Sequence, residues 1–425
     1  WQTALVQRDW HALGQLTGFI EITMEIWWDP ETISQLDRAM VRMDDELQAD
    51  SVENGMEREL IETVLAKILR VSGKFHNHLG NSGMSIQWLT RSRELLFRHR
   101  QRSRETDLLY ALVTMNLGFS NYYAGRFGEA EKFYKEAYLE FQRLQDEKAK
   151  ALVLVLWGLL FDRIGDFINA ERSMRSVLAF AQPIGRTQLI AQGGLARVLA
   201  RQGQYDDARQ IWEEAYAKAD QRRRVHGLIG LGIVARGVGQ NAEAQEFLRR
   251  GLASAQEIGD RPAQVELLIE LGFTALQFGI SAPARDYFSR SLVIAQEISR
   301  LRNVPIALRG LGEVELIQGN VQRARDYFAR SLTAAGEVQA PPDLLDILVS
   351  VGELYAAEGK REAAVELLDL ARQHPATTHE TRTRAQGLLE ALGIESPEPA
   401  NRLAMDVARV RLEQMVLATL AAMRS

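Results

Sequence analysis

The sequence predicts an all-α fold, a right-handed superhelical solenoid of about nine or ten antiparallel helix hairpins. Three observations predict it: a segment of about 40 residues that recurs seven times, small and bulky residues at fixed places in each copy, and apolar residues spaced as on one face of a helix. Repeats of this length are typical of proteins built by stacking helix hairpins. A stack of this kind accounts for most of the 425 residues.

Four positions define the repeat. In all seven copies a glycine is followed five residues later by an alanine, a small residue stands twelve residues before that alanine, and a bulky apolar residue stands four residues after it. We expect the small residues to let the two helices of a hairpin approach closely, and the bulky residue to fill the space between hairpins. The glycine is expected to end the first helix in a left-handed conformation. The seven alanines are Ala130, Ala170, Ala208, Ala244, Ala284, Ala324 and Ala364.

The elements follow in order. Residues 1–110 are predicted to form degenerate helical repeats, with helices over 4–28, 32–48, 56–73 and 85–100 and a break at Asp29-Pro30. Seven regular repeats are predicted over 111–378. Residues 379–425 are predicted to form C-terminal capping helices, over 381–392 and 402–423, joined by a linker at 395–399. Irregular end repeats are expected because a terminal repeat buries only one of its faces.

Composition narrows the classes of function. Lys and Arg number 51 and Asp and Glu 56, a net charge of −5, so the chain lacks the global positive charge that would attract nucleic acid or an anionic membrane. The absence of cysteine excludes disulfides, thiolate metal sites and cysteine nucleophiles, and favours a cytoplasmic protein. No apolar run is long enough to cross a bilayer. Because the first residue is Trp1, we interpret the chain as a segment that a further domain precedes.

The sequence contains only fragments of catalytic and cofactor-binding motifs. The Gly-Lys pairs lack the rest of a phosphate-binding loop, and the string from Gly230 to Ala235 places Gly232 at the repeat's own small-residue position, which favours helix packing over dinucleotide binding. His76 and His78 are expected in a solvated loop rather than on a metal ion. We therefore predict no catalytic residue, no metal ligand and no cofactor, and do not expect this segment to be an enzyme.

The four-point pattern resembles the tetratricopeptide repeat over about residues 111–378, although its period is about 40 residues and that of the family about 34. The long hairpins, the irregular leading repeats containing Arg8-Asp9-Trp10-His11-Ala12-Leu13 and the break at Asp29-Pro30 are similar to the C-terminal repeat domain of STAND signal-transduction NTPases, the class of the maltose-regulon activator. That resemblance implies a sensor domain that binds an inducer or partner and restrains an upstream nucleotide-binding domain.

The resemblance also implies which residues face the groove, since the first helix of each hairpin lines the concave face of such a stack. Arginines on neighbouring helices suit a carboxylate or phosphate held through two N–H groups. The alternative is that arginines and acidic residues in these rows pair with one another across the groove. The candidate ligand-binding residues are Tyr122, Arg163, Arg197, Arg201, Arg236, Arg309, Glu313 and Glu353.

The expected function is a sensor or interaction domain that binds a peptide, a partner protein or a small effector in the groove and regulates an upstream STAND-type NTPase. A stand-alone adaptor and a peptide-sensing transcriptional regulator remain open as alternatives, because both would use the same groove. Nucleic-acid binding along the arginines is disfavoured by the net charge and by the acidic residues Glu313, Asp346 and Glu353.

Overall fold

The structure, a computed structural model, describes residues 2–24, 30–48, 55–78, 81–99, 103–180, 185–217, 221–298, 301–338, 340–394 and 405–424. These residues form α-helices, joined mostly by short turns, with one 3₁₀ segment at Leu301–Asn303 and no strand among them. The predicted all-α class is therefore confirmed. No described helix is long and apolar enough to cross a membrane. Asp29 of the predicted break and the linker predicted at 395–399 lie outside the described residues.

The chain divides into two compact units, 1–156 and 157–425, with the boundary inside one helix. The first unit contains α1 (Gln2–Val6), α2 (Trp10–Met24), α3 (Pro30–Gln48), α4 (Gly55–His78), α5 (Ser82–Phe97), α6 (Arg104–Tyr123), α7 (Phe127–Arg143) and the first part of α8 (Glu147–Ile164). The second unit contains the rest of α8, α9 (Phe167–Leu178), α10 (Arg186–Arg201), α11 (Tyr205–Ala217), α12 (Gln221–Gly237), α13 (Asn241–Glu257), α14 (Arg261–Gln277), α15 (Ser281–Glu297), α16 (Val304–Ile317), α17 (Val321–Val338), α18 (Pro341–Ala357), α19 (Arg361–Gln373), α20 (His379–Ala391) and α21 (Met405–Arg424).

The hairpins of the structure follow the four-position repeat of the sequence, called here the template. The glycine before the second helix has a φ between 70° and 85° in all seven copies, the left-handed conformation that was predicted. All seven template alanines are fully buried. In six copies, a Cβ added at the small residue of the first helix would collide with the bulky residue of the same copy, as Gly272 would with the ring of Phe288 at 2.5 Å. The exception is the third copy, in which Ala196 is the small residue and Trp212 is only partly buried.

The predicted packing role of the string at 230–235 is confirmed. Both glycines lie inside α12, where an added Cβ at Gly230 would meet the Trp212 ring and one at Gly232 would meet Leu248. The string is therefore a helix-packing surface.

An eighth copy of the template lies in the first unit. The sequence pattern predicts that a helix ends there, at Gly73. Instead Gly73 lies inside α4, and a Cβ there would meet Leu89 of α5 at 2.8 Å. Ser85 takes the place of the template alanine, is fully buried and donates a hydrogen bond to the Gly73 carbonyl oxygen at 2.6 Å. The spacings from Gly73 to Ser85 and from Ser85 to Leu89 are those of the other seven copies.

Two further sequence predictions about the first unit are wrong. The helix predicted over 4–28 is interrupted at Arg8, which has a φ of 56°, and a new helix begins where the Asp9 carboxylate accepts a hydrogen bond from the Ala12 N–H at 3.0 Å. The histidine pair lies in α4 and not in a loop, since the helix continues to His78 and includes the buried Phe75. Burial lowers the pKa of His76, although nearby Asp37 opposes this. The division into leading repeats, seven regular repeats and capping helices stays a prediction.

Candidate binding groove

The groove of the second unit is lined mainly by α10, α12, α14, α16 and α18, the first helices of five successive hairpins. Tyr205 and Trp212 of α11 and residues 378–384 at the start of α20 complete the wall. It holds two adjoining cavities of about 370 Å³ and 230 Å³. Charged and hydroxyl side chains dominate the part of the wall that the two cavities share. The shared residues are Arg201, Arg236, Glu270, Asp343, Asp346, Thr378 and Glu380.

Helical periodicity explains why these side chains converge. On α14 the groove residues follow one another at three or four positions, apart from the adjacent pair at the end: Glu266, Glu270, Phe273, Leu276 and Gln277. Residues at such spacing lie on one face of an α-helix. The opposite side of the helix packs inside the hairpins, where Leu267, Leu268 and Leu271 are fully buried or nearly so.

Asp162, at the C-terminal end of α8, holds two of the candidate arginines. Its carboxylate accepts a hydrogen bond from the Arg197 Nε at 2.9 Å, and the Arg201 Nη1 lies 3.2 Å from its other oxygen. Burial raises the pKa of Asp162, but the positive charges of Arg201 and Arg197 outweigh that effect and hold the pKa below its usual value. Both arginines are thus engaged by a carboxylate of the same chain.

Arg163 and Asp343 form a buried ion pair between α8 and α18. The Arg163 Nη1 donates to the Asp343 carboxylate at 2.8 Å across 180 residues of sequence. Both residues are less than a tenth exposed. The pair therefore joins the first and the later helices of the second unit through groups that water hardly reaches.

Arg236 of α12 contacts two carboxylates. Its Nη2 lies 3.1 Å from Glu270 of α14, and its Nη1 bonds to Glu380 of α20. Burial raises the pKa of Glu270, and the attraction of Arg236 does not fully offset it because Glu380 is also close. One guanidinium thus forms ion pairs with two carboxylates in the wall that both cavities share.

Glu313 of α16 is the centre of a third network. Its carboxylate accepts hydrogen bonds from Arg309 at 2.9 Å, Arg384 at 2.7 Å and the Ser350 hydroxyl at 2.6 Å. Burial raises its pKa, but the two arginines outweigh burial and lower the pKa to about 2. Arg384 also bonds to Glu353 at 2.6 Å.

This pKa gives a prediction about acid stability. A carboxyl group whose pKa is about 2 in the folded chain and 4.5 in the unfolded chain stabilises folding above pH 4.5, and that contribution is lost as the pH falls towards 2. We expect the difference in unfolding free energy between the wild type and Glu313→Gln to shrink by about 3 kcal/mol over that interval. Urea unfolding at a series of pH values measures the difference, and a constant difference would contradict the prediction.

The structure brings together most of the residues predicted to bind a ligand. Five line the larger cavity and three line the smaller one, with Arg201 and Arg236 in both, whereas Arg163 is buried beside them against Asp343. Tyr122 lies in the first unit, where its ring packs against Tyr123 and Phe127. The five in the larger cavity are Arg201, Arg236, Arg309, Glu313 and Glu353, and the three in the smaller are Arg197, Arg201 and Arg236.

Sequence reasoning missed four charged residues of the groove, namely Glu270, Asp343, Glu380 and Arg384. For Glu270 a signal existed, because it lies one helical turn after Glu266 on the same face of α14. For Glu380 and Arg384 no signal existed, since α20 was predicted only to cap the stack. The pairing of arginines with acidic residues, which was one of the two alternatives, is the arrangement found.

Two family models, both described as Tetratricopeptide repeat, match the chain at residues 189–227 and 293–340. The first match runs from α10 to the start of α12, and the second runs from the end of α15 through α17. Both lie in the second unit and include helices that line the groove. No curated protein matches the chain in sequence.

Solved structures share the fold at low sequence identity. The Rap conjugation gene regulator of the plasmid pLS20, in complex with a Phr peptide, is 16% identical, with a TM-score of 0.56 over 86% of this chain and 99% of that one. The apo form of the quorum sensor NprR from B. thuringiensis is 12% identical, with a TM-score of 0.55 over 79% of this chain and 96% of that one.

A STAND protein with a tetratricopeptide repeat sensor from Pyrococcus horikoshii is 13% identical, with a TM-score of 0.42 over 86% of this chain and 55% of that one. That likeness is too distant to support an argument, and the other two show the fold alone. The two matched segments and the repeated helix hairpin show that the chain contains a tetratricopeptide-repeat domain.

Proposed function

We propose that the second unit binds a peptide, or a short segment of a partner protein, in the groove and acts as a sensor or interaction domain. The observation that carries the proposal is the convergence of charged side chains from six helices on two adjoining cavities. Phe273, Ile306 and Trp212 add apolar surface to the same walls. A peptide offers both charged and apolar groups, so it is complementary to walls of this composition. The Rap regulator that shares this fold was solved with a peptide bound.

The charge pattern favours a peptide over a nucleic acid. Each candidate arginine of the groove contacts a carboxylate of the chain: Arg197 and Arg201 contact Asp162, and Arg236 contacts Glu270. Binding to nucleic acid depends on cations that are available to neutralise phosphates. The groove arginines are instead balanced by fixed negative charges, which would repel phosphates.

The finer part of the proposal concerns what the sensor controls. On the sequence resemblance, we propose that ligand binding here regulates a STAND-type nucleotide-binding domain upstream in the same protein. In the full-length gene product, a peptide that binds the groove is then expected to change the rate of nucleotide hydrolysis. A chain without a nucleotide-binding domain would leave the stand-alone adaptor as the function of the same groove.

The test is a selection of random peptides on the purified chain, followed by titration of a selected peptide by fluorescence anisotropy. We expect Arg201→Gln to weaken binding about tenfold or more, because it removes a charged hydrogen-bond donor from the wall of both cavities. Arg209→Gln is the matched control, since Arg209 pairs with Glu243 outside the cavities. Equal affinities of the two variants, or failure to select any peptide, would contradict the proposal.

A further inference from the structure

The groove already contains a segment of its own chain. The turn before α20 is buried, with His374 and Ala376 fully inaccessible and Thr377 only 2% exposed. Ala376 lies so close to Gly165, between α8 and α9, that a Cβ at Gly165 would overlap it. The ring of His379 covers Gly203 in the same way and meets the Tyr205 ring edge to face at 6.0 Å.

Three side chains of this segment then contact the groove residues. Glu380 bonds to Arg236 of α12, and the Thr381 hydroxyl donates to Asp346 of α18. Arg384, one helical turn after Glu380, donates to Glu313 at 2.7 Å and to Glu353 at 2.6 Å. The segment thus satisfies acidic and basic groups on three groove helices, which are the groups that the proposed function assigns to a ligand.

Two of these contacts, that of Glu380 with Arg236 and that of Arg384 with Glu353, are of a kind that a ligand can exchange. The Glu380 side chain is 51% exposed and that of Glu353 is 37% exposed, and ion pairs that water reaches contribute little to stability. The later part of α20 is held differently, because Ala385 and Leu389 are fully buried in an apolar cluster with α18 and α19. Exchange therefore requires a local opening of residues 378–384 between two anchored points, the buried turn at 374–377 and the apolar cluster that holds Ala385 and Leu389.

We propose that residues 378–384 act as an internal ligand, and that the external ligand is a peptide that replaces them by presenting an acidic side chain and, four residues later, an arginine on the same face of a helix. The inference rests on the proposed function and specifies its ligand. Competition follows directly: a tethered segment has an effective concentration of about millimolar, so it lowers the apparent affinity for any peptide of the same chemistry.

The experiment uses a fluorescein-labelled synthetic peptide of residues 376–392, titrated with the whole chain. In Glu380→Ala/Arg384→Ala the ion pairs of the internal segment are removed, and we expect this variant to bind the labelled peptide about tenfold tighter than the wild type, or more. Gln386→Ala/Glu390→Ala is the control, because that exposed pair bonds only within α20. A peptide with the two charges exchanged, Glu380→Arg/Arg384→Glu, is expected not to bind.

Two further variants separate loss of the internal contacts from loss of stability. If the double variant melts at a lower temperature than the control, Glu380→Gln alone replaces it in the titration. Adding Glu313→Gln to the variant is expected to weaken peptide binding about tenfold, because it removes the partner of the peptide's arginine.

Equal affinity of the wild type and the double variant for the labelled peptide would overturn the inference. If a peptide from the random selection still binds both chains, the proposed function stands and only the internal ligand is wrong. If neither peptide binds either chain, the proposed function fails as well.

Discussion

Replacing Arg163 by Met is expected to lower the unfolding free energy of the second unit by about 3–5 kcal/mol. The substitution keeps an unbranched side chain but leaves the Asp343 carboxylate without the guanidinium that bonds to it at 2.8 Å. Both groups are buried, and removing one partner of a buried ion pair costs more than the pair itself contributes, because an uncompensated charge stays inside the protein. Urea unfolding, followed by circular dichroism, measures the loss.

A second substitution separates this explanation from a simple loss of packing. In Arg163→Met/Asp343→Leu neither position carries a charge, so no member of the pair stays buried without its partner and most of the lost stability is expected to return. Hydrogen exchange should show faster exchange in α18 of the single variant and near wild-type exchange in the double variant. If the single variant is as stable as the wild type, the two side chains do not form a buried pair.

Replacing Gly272 by Leu is expected to destabilise the second unit by at least about 3 kcal/mol. The fully buried ring of Phe288 lies between two glycines, and a Cβ added at either Gly272 or Gly310 would stand 2.5 Å from it. The ring cannot move away, because it is enclosed from both sides. The two helices of the hairpin, α14 and α15, would have to separate.

Gly387→Leu is the matched control for this prediction. Gly387 lies exposed in the middle of α20, and nothing lies within 4 Å of an added Cβ. The same substitution there is expected to raise stability by about 0.5–1 kcal/mol, because leucine favours helix more than glycine does. A pair of variants with equal melting temperatures would show that Gly272 is not a close contact between helices.

The sequence was sufficient to predict the hairpins because their contacts are local. Gly272 and Phe288 are sixteen residues apart, and every copy repeats the same spacing, so each contact appears seven times in the pattern. The glycine conformation and the buried alanines follow from this repetition. Even the eighth copy, at Gly73, was present in the sequence, but a serine in place of the alanine concealed it.

The groove was less predictable because its contacts are distant in sequence. The family resemblance implied that Arg236 and Glu313 face the groove, but it contains no information about which carboxylate each arginine contacts. Arg236 bonds to Glu380 across 144 residues, and that pair depends on where α20 lies. The position of Trp212 was also not predicted: the repeat pattern predicts that it fills the space between hairpins, whereas it is only partly buried and lies in the wall of the smaller cavity.

The long-range contacts of the second unit have a consequence for how it folds. Where each repeat contacts only its neighbours, hairpins can separate one by one from the ends. Here Arg163 bonds to Asp343, and Ala376 lies against Gly165, so the first hairpin of the unit supports the last two. Loss of either end therefore weakens the other, which makes the second unit one cooperative block. Because these contacts close chain segments of up to 211 residues, they also make folding slower than that of a stack held by neighbours alone.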